Sequence, residues 1–117
     1  LIAIGVGGLA IAFAWLTSSP YTSTFPRVFS SQAWRDADPT AYPSNNERCG
    51  MIADLKYRVG VVGKTRSELT DLLGKPEMDA ADPSASYWLL CPSFIDIWVL
   101  RVRWESNRAV EAIVHDT

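Results

Sequence analysis

The hydrophobic pattern separates an apolar N-terminal stretch from a polar middle segment and a patterned C-terminal part. Residues 1–16 carry no polar side chain, and the first charge along the chain is Arg27. At about 1.5 Å per residue, a helix of this length covers roughly 24 Å, slightly less than the ~30 Å of a bilayer core. Because the chain begins with Leu rather than Met, we expect upstream residues that complete the span. The pattern predicts a retained transmembrane helix over residues 1–19, with a cleaved signal peptide or a buried core helix as alternatives.

Small residues recur at helical spacing inside this apolar stretch. Ala3 and Gly7 are four residues apart, as are Gly8 and Ala12. Such pairs allow another helix to approach closely, although Gly and Ala are also common in membrane helices generally. We therefore expect the lipid bilayer and other membrane protein subunits as partners.

Residues 20–45 are rich in Ser, Thr and Pro and show no clear period. Prolines make a long helix improbable there, so we predict an extended linker. Three aromatic side chains are too apolar for a free linker, and we expect them to dock on the folded domain or on a partner: Phe25, Phe29 and Trp34.

Two helices are predicted next. The first runs from about residue 46 to residue 59, with apolar positions at helical spacing. The second begins at Thr65, which forms a capping box with Glu68, and it ends at Gly74 before Pro76.

Three strands follow, over residues 86–91, 95–104 and 109–115. The second alternates apolar residues with arginines, and a tight turn at residues 106–107 leads into the third. The element order predicts an α+β domain over residues 46–117, with two helices packed on a three-stranded antiparallel sheet.

Composition restricts the function classes. The 117 residues allow one small domain, and the net charge of −2 gives no reason to expect nucleic acid, which needs a basic face. Gly63-Lys64-Thr65 matches the end of a phosphate-binding loop, but Arg58 stands where that motif needs its first Gly. We interpret this stretch as a turn and helix cap, and we expect no nucleotide.

Residues suited to catalysis are few. His115, the only histidine, lies on the last predicted strand, where we expect a surface residue. The loop aspartates are expected to be turn formers: Asp36, Asp38, Asp79 and Asp82. We predict no catalytic, metal-binding or cofactor-binding residues, and therefore no enzyme.

The two cysteines can form a structural pair. Cys49 lies in the first predicted helix and Cys91 at the end of the first strand. In an extracytoplasmic domain an oxidised pair would join helix to sheet, whereas two buried free thiols would act as small apolar groups.

Residues 46–115 combine Arg48, Met51 and Asp54-Leu55 with the stretch GKTRSELTDLLGKP and the strand sequences YWLL and WVLRVRW. In these features the C-terminal part resembles the SmpA/OmlA (BamE-like) family of small lipoprotein domains. The resemblance implies two helices on a three-stranded antiparallel sheet, an extracytoplasmic setting and protein binding. Family members with an assembly role carry a lipobox cysteine directly after the apolar signal, whereas this chain has no Cys before Cys49.

These patterns favour a non-catalytic, single-span accessory subunit that packs against and stabilises a larger membrane complex, of respiratory or photosynthetic type. The expected location is the inner (cytoplasmic) membrane, with the folded domain in the periplasm. The alternative is a periplasmic envelope or outer-membrane assembly protein of the SmpA/OmlA type. A third class, an enzyme or ligand-binding domain, would require a polar pocket between sheet and helices.

Overall fold

Three strands with alternating core-facing side chains form one antiparallel sheet. The computed structural model describes residues 26–40, 47–78, 82–93 and 96–117. The strands are Ala85–Pro92 (β1), Ile97–Glu105 (β2) and Arg108–Asp116 (β3), and they lie in the order β1-β2-β3. The predicted three-stranded antiparallel sheet is therefore confirmed.

The central strand β2 has one apolar face and one charged face. Leu100, Val102 and Trp104 are buried, whereas Arg101 and Arg103 lie on the opposite face and are partly exposed. This is the predicted alternation, since successive strand side chains point to opposite faces of a sheet.

A two-residue turn joins β2 to β3. Ser106 and Asn107 have φ values of 51° and 63°, the left-handed conformations that tight hairpins with the twist of a sheet require. Glu105 pairs with Arg108 across this turn. The predicted turn is confirmed, and it fixes which residues of β3 lie opposite β2.

Helices cover the apolar face of the sheet. They are Ser31–Asp36 (α1), Glu47–Asp54 (α2) and Arg66–Leu73 (α3), and α2 continues into a π-helical turn at Leu55–Gly60. The core between helices and sheet includes Trp34, Met51, Ile52, Leu55, Leu69, Leu73, Trp88, Leu90, Leu100, Val102 and Trp104.

Helix α3 begins and ends where the sequence predicts. The Thr65 hydroxyl accepts from the Glu68 N–H at 3.2 Å, and the Glu68 carboxylate accepts from the Thr65 N–H at 2.9 Å. Gly74, with φ of 78°, follows the last turn. The capping box is confirmed, and so is the helix stop, because a positive φ is far easier for Gly than for other residues.

The predicted fold class is wrong in two respects. The described part of the chain contains three helices, not two, because α1 forms within the segment predicted to be an extended linker. A single transmembrane helix was also predicted, but no helix in residues 26–40, 47–78, 82–93 or 96–117 is both long and apolar enough to cross a bilayer. The predicted span, residues 1–19, lies outside the described residues. The corrected fold is a small α+β domain with three helices and a three-stranded antiparallel sheet.

The physical reason for the additional helix is tertiary. Six residues are too few for a stable isolated helix in water. Helix α1 instead gains a side-chain cap from Ser30, whose hydroxyl accepts from the Ala33 N–H at 3.2 Å, and it buries Trp34 completely. The cap is local, but the burial of Trp34 depends on residues distant in the chain, which the local pattern of this Ser- and Pro-rich segment does not show.

Candidate functional site

Residues 26–30 run along α2 and are bonded to it through their backbone. The Arg27 N–H donates to the Gly50 carbonyl at 3.0 Å, and the Phe29 N–H donates to Asp54 Oδ2 at 2.6 Å. A further contact joins the next residue, Ser30, to a methionine sulfur of α2. The segment is therefore part of the folded domain.

Helix α1 continues this attachment. The Ser31 hydroxyl donates to the Leu72 carbonyl of α3 at 2.7 Å. Trp34 is 0% exposed, and its ring lies 6.0 Å from that of Phe29. Of the three aromatic residues expected to dock, Phe29 and Trp34 pack against the core of this same domain, and Phe25 lies outside the described residues.

A buried arginine links four parts of the fold. Arg48 of α2 donates from Nε to the Trp34 carbonyl and from Nη1 to the Leu89 carbonyl, each at 2.8 Å. Nη1 also forms an ion pair with Glu77, and the guanidinium lies 5.0 Å from the Trp34 ring. Burial of this charge is tolerated because each polar contact replaces water. Arg48 thereby holds α1, β1 and the loop after α3 together.

Asp54 forms a second polar junction. Its carboxylate is 2% exposed and accepts from Arg58, one turn later, and from the Phe29 N–H. The bond from Arg58 lowers the pKa of Asp54, burial opposes that effect, and the Phe29 N–H lowers it further. The same pair raises the pKa of Arg58. Asp54 therefore stays ionised while it holds residues 26–30 in place.

Cys49 and Cys91 form a disulfide in the structure, with 6.0 Å between their Cα atoms. Strict alternation would place Cys91 on the face opposite Leu90. A bulge between Leu89 and Cys91 shifts the phase of β1, so that Leu90 and Cys91 are both fully buried. The bulge thus brings Cys91 within reach of α2.

An exposed apolar side chain stands on the attached N-terminal segment. Val28 is 72% exposed, and it borders a hollow of about 160 Å³ shared with Pro26, Arg27 and Asp54. The hollow is smaller than the roughly 300–1,000 Å³ of typical small-molecule pockets. Elsewhere, Tyr57 and Val62 are 54% and 63% exposed.

A second hollow, also about 160 Å³, lies between α3 and the sheet. It is lined by Arg66, Thr70, Pro76, Ser86, Trp88 and Trp104. The Arg66 guanidinium lies 4.8 Å from the Trp104 ring, and Trp104 Nε1 donates to the Ser86 hydroxyl at 2.9 Å. Arg66 and the Trp88 indole also donate to backbone carbonyls. Both indoles, Arg66 and Ser86 are therefore already bonded within the domain, which suits packing better than ligand capture.

The Gly63-Lys64-Thr65 stretch forms a turn against β3. Gly63 has φ of 94°, its N–H donates to the Ala109 carbonyl at 2.7 Å, and the Lys64 carbonyl accepts from the Ala109 N–H at 2.8 Å. Thr65 caps α3. The turn-and-cap interpretation is confirmed.

The candidate acids and the histidine are dispersed. Asp38 and Asp82 accept from the backbone N–H two residues ahead, as expected of turn formers. The pKa of Asp38 is lowered first by the Thr40 hydroxyl and then by the Thr40 N–H, and the pKa of Asp82 is lowered by its bonds from Ser84. Asp36 instead ends α1 and accepts from Gln32. Asp79 lies outside the described residues. The His115 ring contacts Tyr87 edge-on at 6.2 Å, and no group of three potential metal ligands occurs within the described ranges.

The predicted membrane-packing residues lie outside the described residues: Ala3, Gly7, Gly8 and Ala12. Sequence reasoning missed the roles of Arg48 and Asp54. The signal available in the sequence was a charged residue at each end of the apolar residues 49–53, namely Arg48 and Asp54. Apart from Arg58, which lies one turn after Asp54, their partners are more than ten residues away in the chain, so spacing alone could not supply them.

Comparison with known proteins adds no relative. No protein-family model matches the chain, and neither the curated proteins nor the solved structures contain a match.

Proposed function

We propose that the protein is a non-catalytic accessory subunit whose folded domain binds other proteins of a larger membrane complex on the extracytoplasmic side. The observation that carries the proposal is the way Val28 is presented. Its neighbours on both sides, Arg27 and Phe29, are bonded to α2 through their backbone N–H groups, while Val28 itself remains 72% exposed.

An apolar side chain on an immobilised backbone suits protein recognition. Binding costs conformational entropy when a loop must be ordered, and a backbone already fixed by hydrogen bonds avoids much of that cost. The open hollow beside Val28, of about 160 Å³, has room for an apolar side chain from a partner.

The disulfide favours an extracytoplasmic location for the domain. Disulfides persist in oxidising compartments such as the periplasm and are rare in the cytosol. Cys49 and Cys91 are both fully buried, so the bond supports the core and leaves no thiol on the surface of the described domain.

The test is purification of the full chain from its native membranes in mild detergent, followed by identification of stoichiometric partners. We expect a defined complex that is lost in Val28→Glu, because a charge at the centre of an apolar contact is desolvated on binding. Val62→Glu is the matched control, since Val62 is similarly exposed but lies in the turn before α3. Recovery of wild-type protein as a lone monomer would contradict the proposal. Equal loss of partners in both variants would contradict the role of Val28.

A second candidate is an envelope-assembly protein of the SmpA/OmlA type. The order α2, α3, β1, β2, β3 is the order that this resemblance implies, and it favours the candidate to that extent. Mass spectrometry of the mature N-terminus distinguishes the two functions. A lipid-modified cysteine favours envelope assembly, whereas an unmodified apolar N-terminus favours the accessory subunit.

A further inference from the structure

The rest of the domain forms hydrogen bonds with the β1 edge of the sheet and leaves most of the β3 edge uncovered. Along β1, the Tyr87 carbonyl accepts from the Glu77 N–H at 2.9 Å, and the Leu89 N–H donates to the Glu77 carboxylate at 3.1 Å. The Leu89 carbonyl accepts from Arg48. Three outward backbone groups in the middle of β1 are thus already bonded within the domain.

The edge of β3 is covered only at its beginning. Ala109 exchanges two backbone hydrogen bonds with the turn at Gly63 and Lys64. Beyond a bulge, Glu111 pairs with Arg103, and β3 continues to Asp116 without a further backbone partner on its outer side among the described residues.

Two residues of β3 direct their backbone groups outward. The Trp104 N–H donates to the Ser84 carbonyl, directly before β1. Successive residues of a strand direct their backbone groups to alternate sides, so the backbone groups of Val102 and Leu100 also point towards β1. The residues opposite them on β3 are Ala112 and Val114. Their N–H and C=O groups therefore point away from the sheet and can bond to a fourth strand.

We propose that the fourth strand is β3 of a second copy of this chain, antiparallel to the first and centred on Ile113. In this register Ala112 of each copy pairs with Val114 of the other, and four backbone hydrogen bonds form across a two-fold axis. The resulting sheet has six strands.

The turn at residues 63–64 selects this register. Backbone groups that point outward on one strand must meet outward-pointing groups on the other strand. The permitted registers are therefore offset from one another by two residues. Centring on Ala112 would bring His115 of the second copy opposite Ala109, where Gly63 and Lys64 already bond. Centring on Val114 shortens the paired segment. Centring on Ile113 gives the longest overlap that ends before the turn.

The side chains in this register are complementary. On the sheet face opposite the helices, Ile113 lies beside Ile113 of the second copy, and each is already partly buried in its own domain. Glu111 comes opposite His115 of the second copy, so no two like charges face each other across the axis. Glu111 lies 3.4 Å from Arg101 and 3.9 Å from Arg103 within its own sheet, so its charge is already balanced locally.

The strand also lacks the features that usually block an edge. Residues 110–115 contain no Lys or Pro, and only one acidic residue. The bulge lies at the covered end, beside Ala109, and leaves the outer half of β3 regular.

The experiment is site-specific cross-linking of the full chain in mild detergent. Facing residues in a non-hydrogen-bonded antiparallel pair have Cα atoms about 4.5 Å apart, within the range for a disulfide. Under oxidised glutathione, Ile113→Cys should give a covalent dimer as the main product. Arg103→Cys, on the outer face of β2, is the matched control and should remain largely monomeric.

A second measurement tests the backbone bonds. Ala112→Pro removes one outward N–H per copy, at an edge position where the domain itself does not use it. Sedimentation should show at least a tenfold weaker dimer, with a thermal midpoint close to wild type. The proposal is overturned if Ile113→Cys fails to cross-link or if Arg103→Cys cross-links equally. It is likewise overturned if Ala112→Pro, still folded, dimerises as wild type does.

Discussion

Asp54 of α2 accepts a hydrogen bond of 2.6 Å from the Phe29 backbone N–H, 25 residues earlier in the chain. The same carboxylate binds Arg58 one turn later. One side chain thus orders the N-terminal segment and the π-helical turn together. Val28, the exposed residue on which the proposed function depends, is held by this bond on one side.

The pH dependence of stability should reveal the charge on Asp54. Its pKa is lower in the folded state than its ordinary value near 3.8, so its contribution is present above that value. The contribution is lost as pH falls through the folded-state pKa. Asp54→Asn should therefore lose less free energy of unfolding than wild type between pH 5 and pH 2, roughly the range over which carboxylates protonate. Denaturant titrations at several pH values measure this, and parallel pH profiles would contradict it.

Removal of the buried arginine should be costly. Arg48→Ala leaves the Trp34 and Leu89 carbonyls without their donor and deprives Glu77 of its partner. Breaking a buried, hydrogen-bonded ion pair typically costs about 3–5 kcal/mol. Glu77 is partly exposed, so we expect the lower end, about 3 kcal/mol. Arg101→Ala is the control, since the partly exposed Arg101–Glu111 pair contributes only about 0–1 kcal/mol. Similar losses in both variants, measured by denaturant unfolding, would refute the special role of Arg48.

Loss of the disulfide should destabilise the domain without altering its surface. Cys49 and Cys91 are 42 residues apart, and closing such a loop contributes about 4 kcal/mol on the chain-entropy model. The double variant Cys49→Ser, Cys91→Ser should show a correspondingly lower free energy of unfolding. Wild-type protein under a strong reductant should approach the same value. A reductant-insensitive wild type would argue against the bond.

The capping box should contribute less to the free energy of unfolding than the disulfide, because it acts only at the start of α3. Thr65→Ala removes the acceptor for the Glu68 N–H, and such substitutions cost about 1 kcal/mol. Thr65→Ser keeps the hydroxyl and should retain most of the stability. Thermal unfolding of the three proteins tests the order wild type, Ser, Ala, and an Ala variant as stable as the Ser variant would contradict it.

The elements predicted correctly are those encoded by neighbouring residues. Thr65 and Glu68 specify the start of α3 because their side chains bond within four residues. Leu100, Val102 and Trp104 reveal the buried face of β2 because alternation is a local property of strands. The turn at Ser106 and Asn107 is likewise short-range.

The elements that were missed depend on distant contacts. Helix α1 forms because Trp34 is buried against residues that follow it by fourteen or more positions, beginning with Arg48. The bulge that turns Cys91 inward lies within Leu89-Leu90-Cys91, and the Pro92 that follows indicates the end of the strand rather than a change of phase inside it. The presentation of Val28 follows from bonds made by Arg27 and Phe29 to a helix about 25 residues later. None of these can be deduced from local periodicity.

The position of Arg48 also has a consequence for synthesis of the chain. Its bonds join Trp34, which is translated early, to Glu77 and Leu89, which are translated much later. Until residue 89 has left the ribosome or translocation channel, the core surface against which Trp34 and Phe29 pack is incomplete. The nascent chain therefore carries two unshielded aromatic side chains while residues 35–89 are added, a state in which factors that bind exposed apolar side chains would protect it from aggregation.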